Sequence, residues 1–326
     1  MKIHFFVELY EGPWGGGNQF LKALKKHFIK LNLFENNIEH ADIILFNSHH
    51  LARSLINLKK KYKNKIFVHR VDGPMSLYTA KKDKRDLHVK YLNKYIADGT
   101  IFQSKWSKRE NEKLGFKGTD FFEIILNASD PSIFFCNKEK NSKRKNKKTS
   151  IICTSWSSNL KKGFEIYEFL DRKLNFDKFE MTFVGNSNIK FNNIKQKKPL
   201  NSIELANELR KHDIFLTASQ KDPCSNALTE ALSCGLPSIA LNDGGHPEII
   251  KEGGLLFNNT DDILEIIETM VLNLHKFKEN INFLNIEYTA KQYMNFFEKL
   301  SKSVYLGDHK LKQLNLINQI KLMINL

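Results

Sequence analysis

The chain has 326 residues, 41% of them hydrophobic and 27% charged, with a formal net charge of +15. That length suggests two domains, each able to bury its own core, and the composition excludes a disordered chain. No apolar run reaches the roughly 18 residues of a membrane-spanning helix, and Glu8 interrupts the short apolar stretch that opens the chain, so a protein made and kept in the cytoplasm is expected.

Short apolar strands alternate with amphipathic helices almost from end to end, the pattern of α/β architecture with parallel sheets. In the first half the strands are expected at Ile3–Val7, Ile43–Phe46, Ile66–His69, Thr100–Phe102 and Glu123–Leu126. Helices are expected at Gln19–Leu31, Leu51–Tyr62 and Lys105–Leu114. The basic, Asn-rich block over 137–148 has no apolar periodicity and reads as a linker between a first domain over 1–136 and a second over 149–285. The second half repeats the alternation, with strands at Ser150–Thr154, Glu180–Val184, Ile214–Ala218 and Pro237–Leu241. Helices fall at Phe164–Leu174, Ser202–Lys211 (Ser202 as N-cap) and Ser225–Cys234. The last stretch reads as mostly helical, and the helices of 286–326 are candidates to pack back on the first domain.

Cys136, Cys153, Cys224 and Cys234 form no C-x-x-C pair and have no His cluster beside them, which favours free thiols over zinc or disulfides. The basic blocks Lys59–Lys65 and Lys138–Lys148 suit an anionic lipid surface, nucleic acid or a phosphorylated substrate, or are simply solvated lysine faces.

Four segments carry residue types suited to chemistry, and all follow a strand, where tandem parallel α/β domains bind ligands. Gly15, Gly16 and Gly17 allow a bound group to approach the backbone where a helix begins; the spacing is not that of a dinucleotide fingerprint, and the bland alternative is a flexible turn. His69 and Asp72 follow the third strand, where an imidazole can bond a sugar hydroxyl and a carboxylate can orient it; a loop His beside a turn acid is the alternative. Lys161 and Lys162 precede a helix and can neutralise a phosphate, or are surface lysines. Asp222 and Glu230 flank a helix whose first amides, from Ser225, Asn226 and Ala227, form an anion site without side-chain charge. Asp222 can accept from sugar hydroxyls and Glu230 from a ribose diol, while Gly244-Gly245 permits close approach.

Together these segments resemble the family-4 retaining glycosyltransferases of the GT-B fold. The family's E-x7-E motif is matched by Asp222 to Glu230 and continues as EALSCGLPSIALNDGGHPEII; ILNASDPSIFF, Ile125 to Phe135, is similar to the segment that closes the family's first domain. The glycine run and Lys162-Gly163 fall in the family's order. The resemblance spans residues 17 to 257 and is more specific in the C-terminal half. It implies two Rossmann-like domains facing a deep interdomain cleft, with a nucleotide-diphosphate sugar as co-substrate and no cofactor; no Asp-x-Asp occurs in a post-strand loop, so no metal is expected. On this resemblance Asp222 contacts the donor sugar, Glu230 the ribose, Lys162 and the Ser225–Ala227 amides the diphosphate, Gly16 the donor or acceptor, and His69 the transferred sugar. Two departures stand out. Asp222 is one methylene shorter than the family's Glu, and Ser157 stands where the family has a phosphate-binding Arg, with Lys161, Arg70 and Lys105 as candidate substitutes.

The expected activity is therefore retaining, metal-independent glycosyl transfer to a glycan, lipid-linked or protein acceptor in cell-surface glycan or glycoconjugate synthesis. Peripheral contact with a membrane through the basic helices would suit a lipid-linked acceptor. The alternatives are a catalytically idle relative, to which Ser157 points, and a basic protein that binds nucleic acid or a membrane surface, although no nucleic-acid-binding motif supports the latter.

Overall fold

The computed structural model describes residues 1–12, 15–79, 83–137 and 148–325, so most of the expected linker lies outside the described residues. The chain forms two compact units. The first comprises Met1–Leu9, Leu21–Leu126 and Glu287–Leu326, and the second Tyr10–Phe20 and Asn127–Ile286. The glycine run and the segment after Leu126 thus group with the second unit, where the sequence had suggested the first.

The first unit is built on a five-stranded parallel sheet of β1 (Ile3–Phe6), β2 (Ile43–Asn47), β3 (Ile66–Val71), β4 (Gly99–Phe102) and β5 (Phe122–Ile124), in that spatial order. β2 and β3 are buried along their whole length. A parallel strand covered on both faces favours apolar residues, and Ile43–Phe46 and Ile66–Val68 read as unbroken hydrophobic runs, while Asn47, His69 and Arg70 are buried polar exceptions. The helices are α1 (Gly16–Lys30), α2 (Ala52–Lys61), α3 (Lys84–Tyr95) and α4 (Lys105–Lys113). Phe28 of α1 meets Phe5 edge-on, with ring centroids 5.8 Å apart. On the opposite face, Phe46 and Phe67 cluster with Leu55 and Ile56 of α2 and with Leu92 and Ile96 of α3. A single parallel bridge from Ile3 to Phe34 carries the chain after α1 to the outer side of β1, which puts α1 and α2 on different faces.

The second unit holds a six-stranded parallel sheet of β6 (Thr149–Ser155), β7 (Phe179–Gly185), β8 (Lys195–Lys197), β9 (Ile214–Thr217), β10 (Ser238–Leu241) and β11 (Gly254–Phe257). Its order is β11-β10-β9-β6-β7-β8. The chain runs outward from β6 to β8, then returns to pair β9 with the free side of β6. That reversal opens a crevice beyond the C-terminal ends of β6 and β9, the usual ligand position in such sheets. α5 (Phe164–Lys173), α6 (Ser202–Leu209), α7 (Asn226–Ser233), α8 (His246–Ile250), α9 (Ile263–Leu272) and α10 (Leu274–Glu279) complete the unit. Alternate strand residues such as Ile151, Phe183 and Leu216 pack with Tyr167 and Leu170 of α5 and Ile267 of α9. α11 (Ile286–Tyr305) and α12 (Leu316–Asn325) close the chain. Their residues from Glu287 onward belong to the first unit, where Phe297 of α11 lies 6.4 Å from Phe28.

Several local expectations change. α3 was not expected, because its sequence, KRDLHVKYLNKY, lacks a clear apolar stripe; Asp83 caps it by accepting from the Arg85 amide. β8 and β11 were also missed: one is a three-residue lysine-bearing edge, the other opens on glycine. The cap of α6 is Asn201, not Ser202, in a reciprocal capping box with Glu204.

One buried ion pair ties the first unit together. Lys59 Nζ lies 2.9 Å from Asp98 Oδ2, with exposures of 1% and 0%. Asp98 also accepts from the Phe67 amide of β3 at 2.8 Å and from the Lys312 amide, far along the chain, at 2.7 Å. Removing only the carboxylate would leave a buried ammonium and two amides without their acceptor. We expect Asp98→Ala to lose about 3–5 kcal/mol in urea unfolding, whereas Lys61→Ala, which removes an exposed partner of Glu39, should leave the unfolding midpoint nearly unchanged.

Candidate functional site

The loops after β6 and β9 meet at the switch point of the second sheet. After β6 the chain makes a 3-10 turn, Leu160–Lys162, capped by Asn159, whose side chain accepts from the Lys161 amide. Gly163 follows with φ of 78°, and a Cβ there would lie 2.5 Å from the Ala218 Cβ at the end of β9. Only glycine both turns the chain in this direction and lets the two loops touch.

This contact delivers Lys162 to the β9 loop. Its Nζ lies 3.1 Å from Ser219 Oγ and 3.3 Å from Asp222 Oδ2. Burial works to raise the Asp222 pKa, but the charge of Lys162 and the proximity of His246 outweigh it and hold the carboxyl below its ordinary value. Asp222 also accepts from the Cys224 amide at 3.3 Å, and its own carbonyl accepts from the Gly245 amide at 2.8 Å. Gly244, with φ of 64°, packs so closely on Asp222 that a Cβ would fall 2.9 Å from the Asp222 amide nitrogen. Lys161 lies beside the pair, its Nζ 3.1 Å from Gln220 Oε1.

α7 begins directly after this loop. Ser225 is its N-cap and accepts from the Leu228 amide at 3.4 Å. Among the described residues no protein group accepts from the amides of Ser225, Asn226 or Ala227; with the helix dipole behind them they are physically suited to an anion. Gly16 packs against this terminus: a Cβ there would lie 2.6 Å from the Asn226 Cβ. Gly17 meets nothing within 4 Å and Gly15 only Trp156 at 3.8 Å, so of the three glycines the close approach requires Gly16.

One turn into α7 stands Glu230. Among the described residues its carboxylate has no hydrogen-bond partner, and burial pushes its pKa up to about 8. A half-buried, unpaired acceptor is costly to leave unfilled unless something arrives to fill it.

Two residues of this site were not singled out from sequence. Ser219 bonds Lys162 and lies 3.5 Å from Asp222. His246 is fully buried; its Nδ1 is 2.9 Å from the Leu241 carbonyl, and among the described residues its Nε2 has no partner. Burial lowers its pKa and the nearby Asp222 opposes that. The signal available was its place directly after Gly244-Gly245, a close-approach turn.

The first unit corrects the assignment of His69. This residue has 0% exposure, stacks on Phe46 at 4.3 Å, and has its ring nitrogens 2.9 Å from the Ser48 carbonyl and 3.3 Å from Asn93 Nδ2. Burial drives its pKa down to about 3, so the ring is neutral. It is a core residue with no free edge for a sugar. Asp72 is partly open at 22% exposure and accepts from Arg70 at 3.1 Å, from Asn47 at 3.4 Å and from Gln103. Arg70 is itself fully buried in this network, which removes it as a substitute for the missing phosphate-binding Arg. At that missing position, Ser157 Oγ accepts from the Asn159 amide at 3.1 Å and so shapes the turn that carries Lys162.

Residues 165–274 match the family model described as Glycosyl transferases group 1. A probable sucrose-phosphate synthase from Thermosipho melanesiensis is 29% identical over 165 residues, 47% of this chain and 38% of that relative, so the match spans well under half the relative's length. The solved sucrose-phosphate synthase of Thermosynechococcus elongatus superposes over 91% of this chain and 83% of its own, with a TM-score of 0.66 and 16% identity. Anabaena HepE in complex with UDP superposes over 92% and 100%, with a TM-score of 0.70 and 14% identity. The fold is that of the GT-B glycosyltransferases. The resemblance read from the sequence holds at this level: the C-terminal half carries the group 1 glycosyltransferase pattern, on two parallel-sheet α/β domains.

The raised Glu230 pKa has a consequence for stability. Between the unfolded value of 4.5 and about 8, the folded state keeps a proton that the unfolded chain has released. Stability is therefore lost as pH rises through this window. Glu230→Gln removes that loss. We expect thermal melting of the two proteins to coincide near pH 5 and the variant to gain with rising pH, by about 1–3 kcal/mol at pH 8, with no further gain above it.

Proposed function

We propose that the chain transfers a glycosyl group from a nucleotide-diphosphate sugar to an acceptor hydroxyl with retained anomeric configuration and without a metal ion. The observation that carries this reading is the grouping of the Lys162–Asp222 pair and the α7 amides, unpartnered among the described residues, around one crevice, with Glu230 about one turn further along that helix. Neighbouring folds point to the nucleotide: HepE is described in complex with UDP and with UDP-glucose, and sucrose-phosphate synthases recur among the relatives. UDP sugars are accordingly the first donors to try.

The difficulty of the reaction is the charge that gathers on the departing diphosphate while the sugar becomes oxocarbenium-like. Lys162 and the Ser225–Ala227 amides are preorganised donors for that charge, and donors of this kind are worth several kcal/mol in a site shielded from water. Lys162 rests on Asp222 at 3.3 Å. An arriving diphosphate competes for the ammonium and leaves Asp222 to accept from hydroxyls of the donor sugar. Glu230 accepts from the ribose diol. Attack by the acceptor on the face the diphosphate leaves, with the phosphate oxygen taking the proton, needs no protein nucleophile. The absence of an Asp-x-Asp motif from the sequence supports metal independence. Acceptors compatible with this chemistry are a glycan, a lipid-linked sugar or a protein, in cell-surface glycan or glycoconjugate synthesis.

Ser157 leaves one cation fewer for the leaving group than the family pattern offers, and it supports a second reading in which the protein binds nucleotide sugars but turns them over weakly. Steady-state transfer or donor hydrolysis with UDP sugars separates the two. We expect Lys162→Ala to lower kcat about 10²–10³-fold and Glu230→Ala to raise the donor KM about tenfold with a smaller effect on kcat. Activity in excess chelator should equal that of untreated enzyme. Donor binding without turnover in the wild-type protein would favour the second reading, and unchanged kinetics in both variants would remove the site assignment.

A further inference from the structure

On the α2 and α3 face of the first unit, α12 is inverted relative to an ordinary surface helix. Only Leu322 is buried, against the cluster that holds Leu55, Ile56, Leu92 and Ile96. The polar Asn318, Gln319 and Asn325 are half-buried. Leu316, Ile317, Ile320, Met323 and Ile324 point outward, with exposures from 48% to 77%. Their spacing of three, four and seven residues places them on one arc of the helix. A contiguous apolar stripe of this kind marks an interaction surface.

The surroundings of the stripe are basic. Neither α2 nor α12 contains an acidic residue. The one acid within α3, Asp86, is occupied by the Met75 and Ser76 amides at 2.6 and 3.0 Å. Arg53 and Lys60 of α2, Lys84 and Lys94 of α3, and Lys321 of α12 are exposed. α12 packs directly against α2 and α3, so the three helices and their exposed cations share one face of the unit.

We propose that this face docks on an anionic membrane surface, with α12 lying in the headgroup layer and the α2 and α3 cations over the lipid phosphates. A helix with an apolar arc and basic flanks has the physical signature of interfacial binding, in which buried apolar area and attraction to anionic lipid add. Charge complementarity selects this occupant. A second copy docked through the same face would set positive charge against positive charge. Nucleic acid would satisfy the cations but leave the isoleucines without an apolar partner. The proposal goes beyond the donor site and does not depend on it.

The test is co-sedimentation of the full chain with vesicles of phosphatidylcholine alone or mixed with phosphatidylglycerol. Binding to the mixed vesicles only is expected. The double variant Ile320→Gln/Ile324→Gln should lower the partition coefficient about tenfold or more without altering the melting curve, since both side chains are exposed. The triple variant Lys60→Gln/Lys94→Gln/Lys321→Gln, which leaves the stripe intact, should weaken binding and flatten its dependence on salt, and it serves as the second probe if the first variant fails to fold. The proposal is overturned if wild-type protein stays in solution with phosphatidylglycerol vesicles at low salt. It is equally overturned if neither variant changes binding, if single-stranded nucleic acid retains the chain and vesicles do not, or if the apolar variant dissolves a dimer while vesicles bind nothing.

Discussion

The contact between Gly163 and Ala218 is the constraint on which the donor site depends. It joins the turn after β6 to the end of β9 at the point where the strand order reverses, and it sets Lys162 beside Asp222. Without the positive φ at Gly163 the turn could not close, and the lysine would project elsewhere on a surface already rich in lysines. Gly244 repeats the device on the other side of Asp222, and the Gly245 amide holds the Asp222 carbonyl. Two glycines therefore fix the position of one carboxylate and one ammonium, and rigid positioning of this sort lets a few polar groups act on a reacting centre.

Electrostatically the protein groups of the site balance one another. Lys162 and Asp222 neutralise each other, His246 lies fully buried beside Asp222, and Glu230 holds its proton near neutral pH. An incoming diphosphate meets amides and one ammonium rather than a cluster of fixed cations. Ser157 contributes to the turn in place of a charge, and the burial of Arg70 with Asp72 removes that arginine as a replacement. On the proposed reading, donor recognition rests on the helix terminus and Glu230, and the rate on Lys162.

Much of this was legible in the sequence where local chemistry decides the outcome. β2, β3, β6 and β9 were visible because their apolar runs are short and bounded, Asp222 and Lys162 because each follows a strand at a turn, and Glu230 from its spacing to Asp222. Other features depend on contacts distant in sequence. His69 and Asp72 look alike from sequence, since both close the same apolar strand, yet the stack on Phe46 and the bond to Asn93 make His69 a core residue while Asp72 stays partly open. α3 was hidden because its inward side chains are spread among lysines. The importance of Gly16 over Gly15 and Gly17 follows from Asn226, some two hundred residues later. The outward stripe of α12 was likewise unreadable as such, because helical periodicity reports an apolar arc but not which way it faces.

The most direct measurement is a crystal structure of the chain with UDP. The account predicts the diphosphate within hydrogen-bonding distance of Lys162 Nζ and of the Asn226 and Ala227 amides, the ribose hydroxyls on Glu230, and Asp222 released from Lys162. A nucleotide bound elsewhere, or at this crevice with Lys162 still paired to Asp222 and Glu230 untouched, would contradict it.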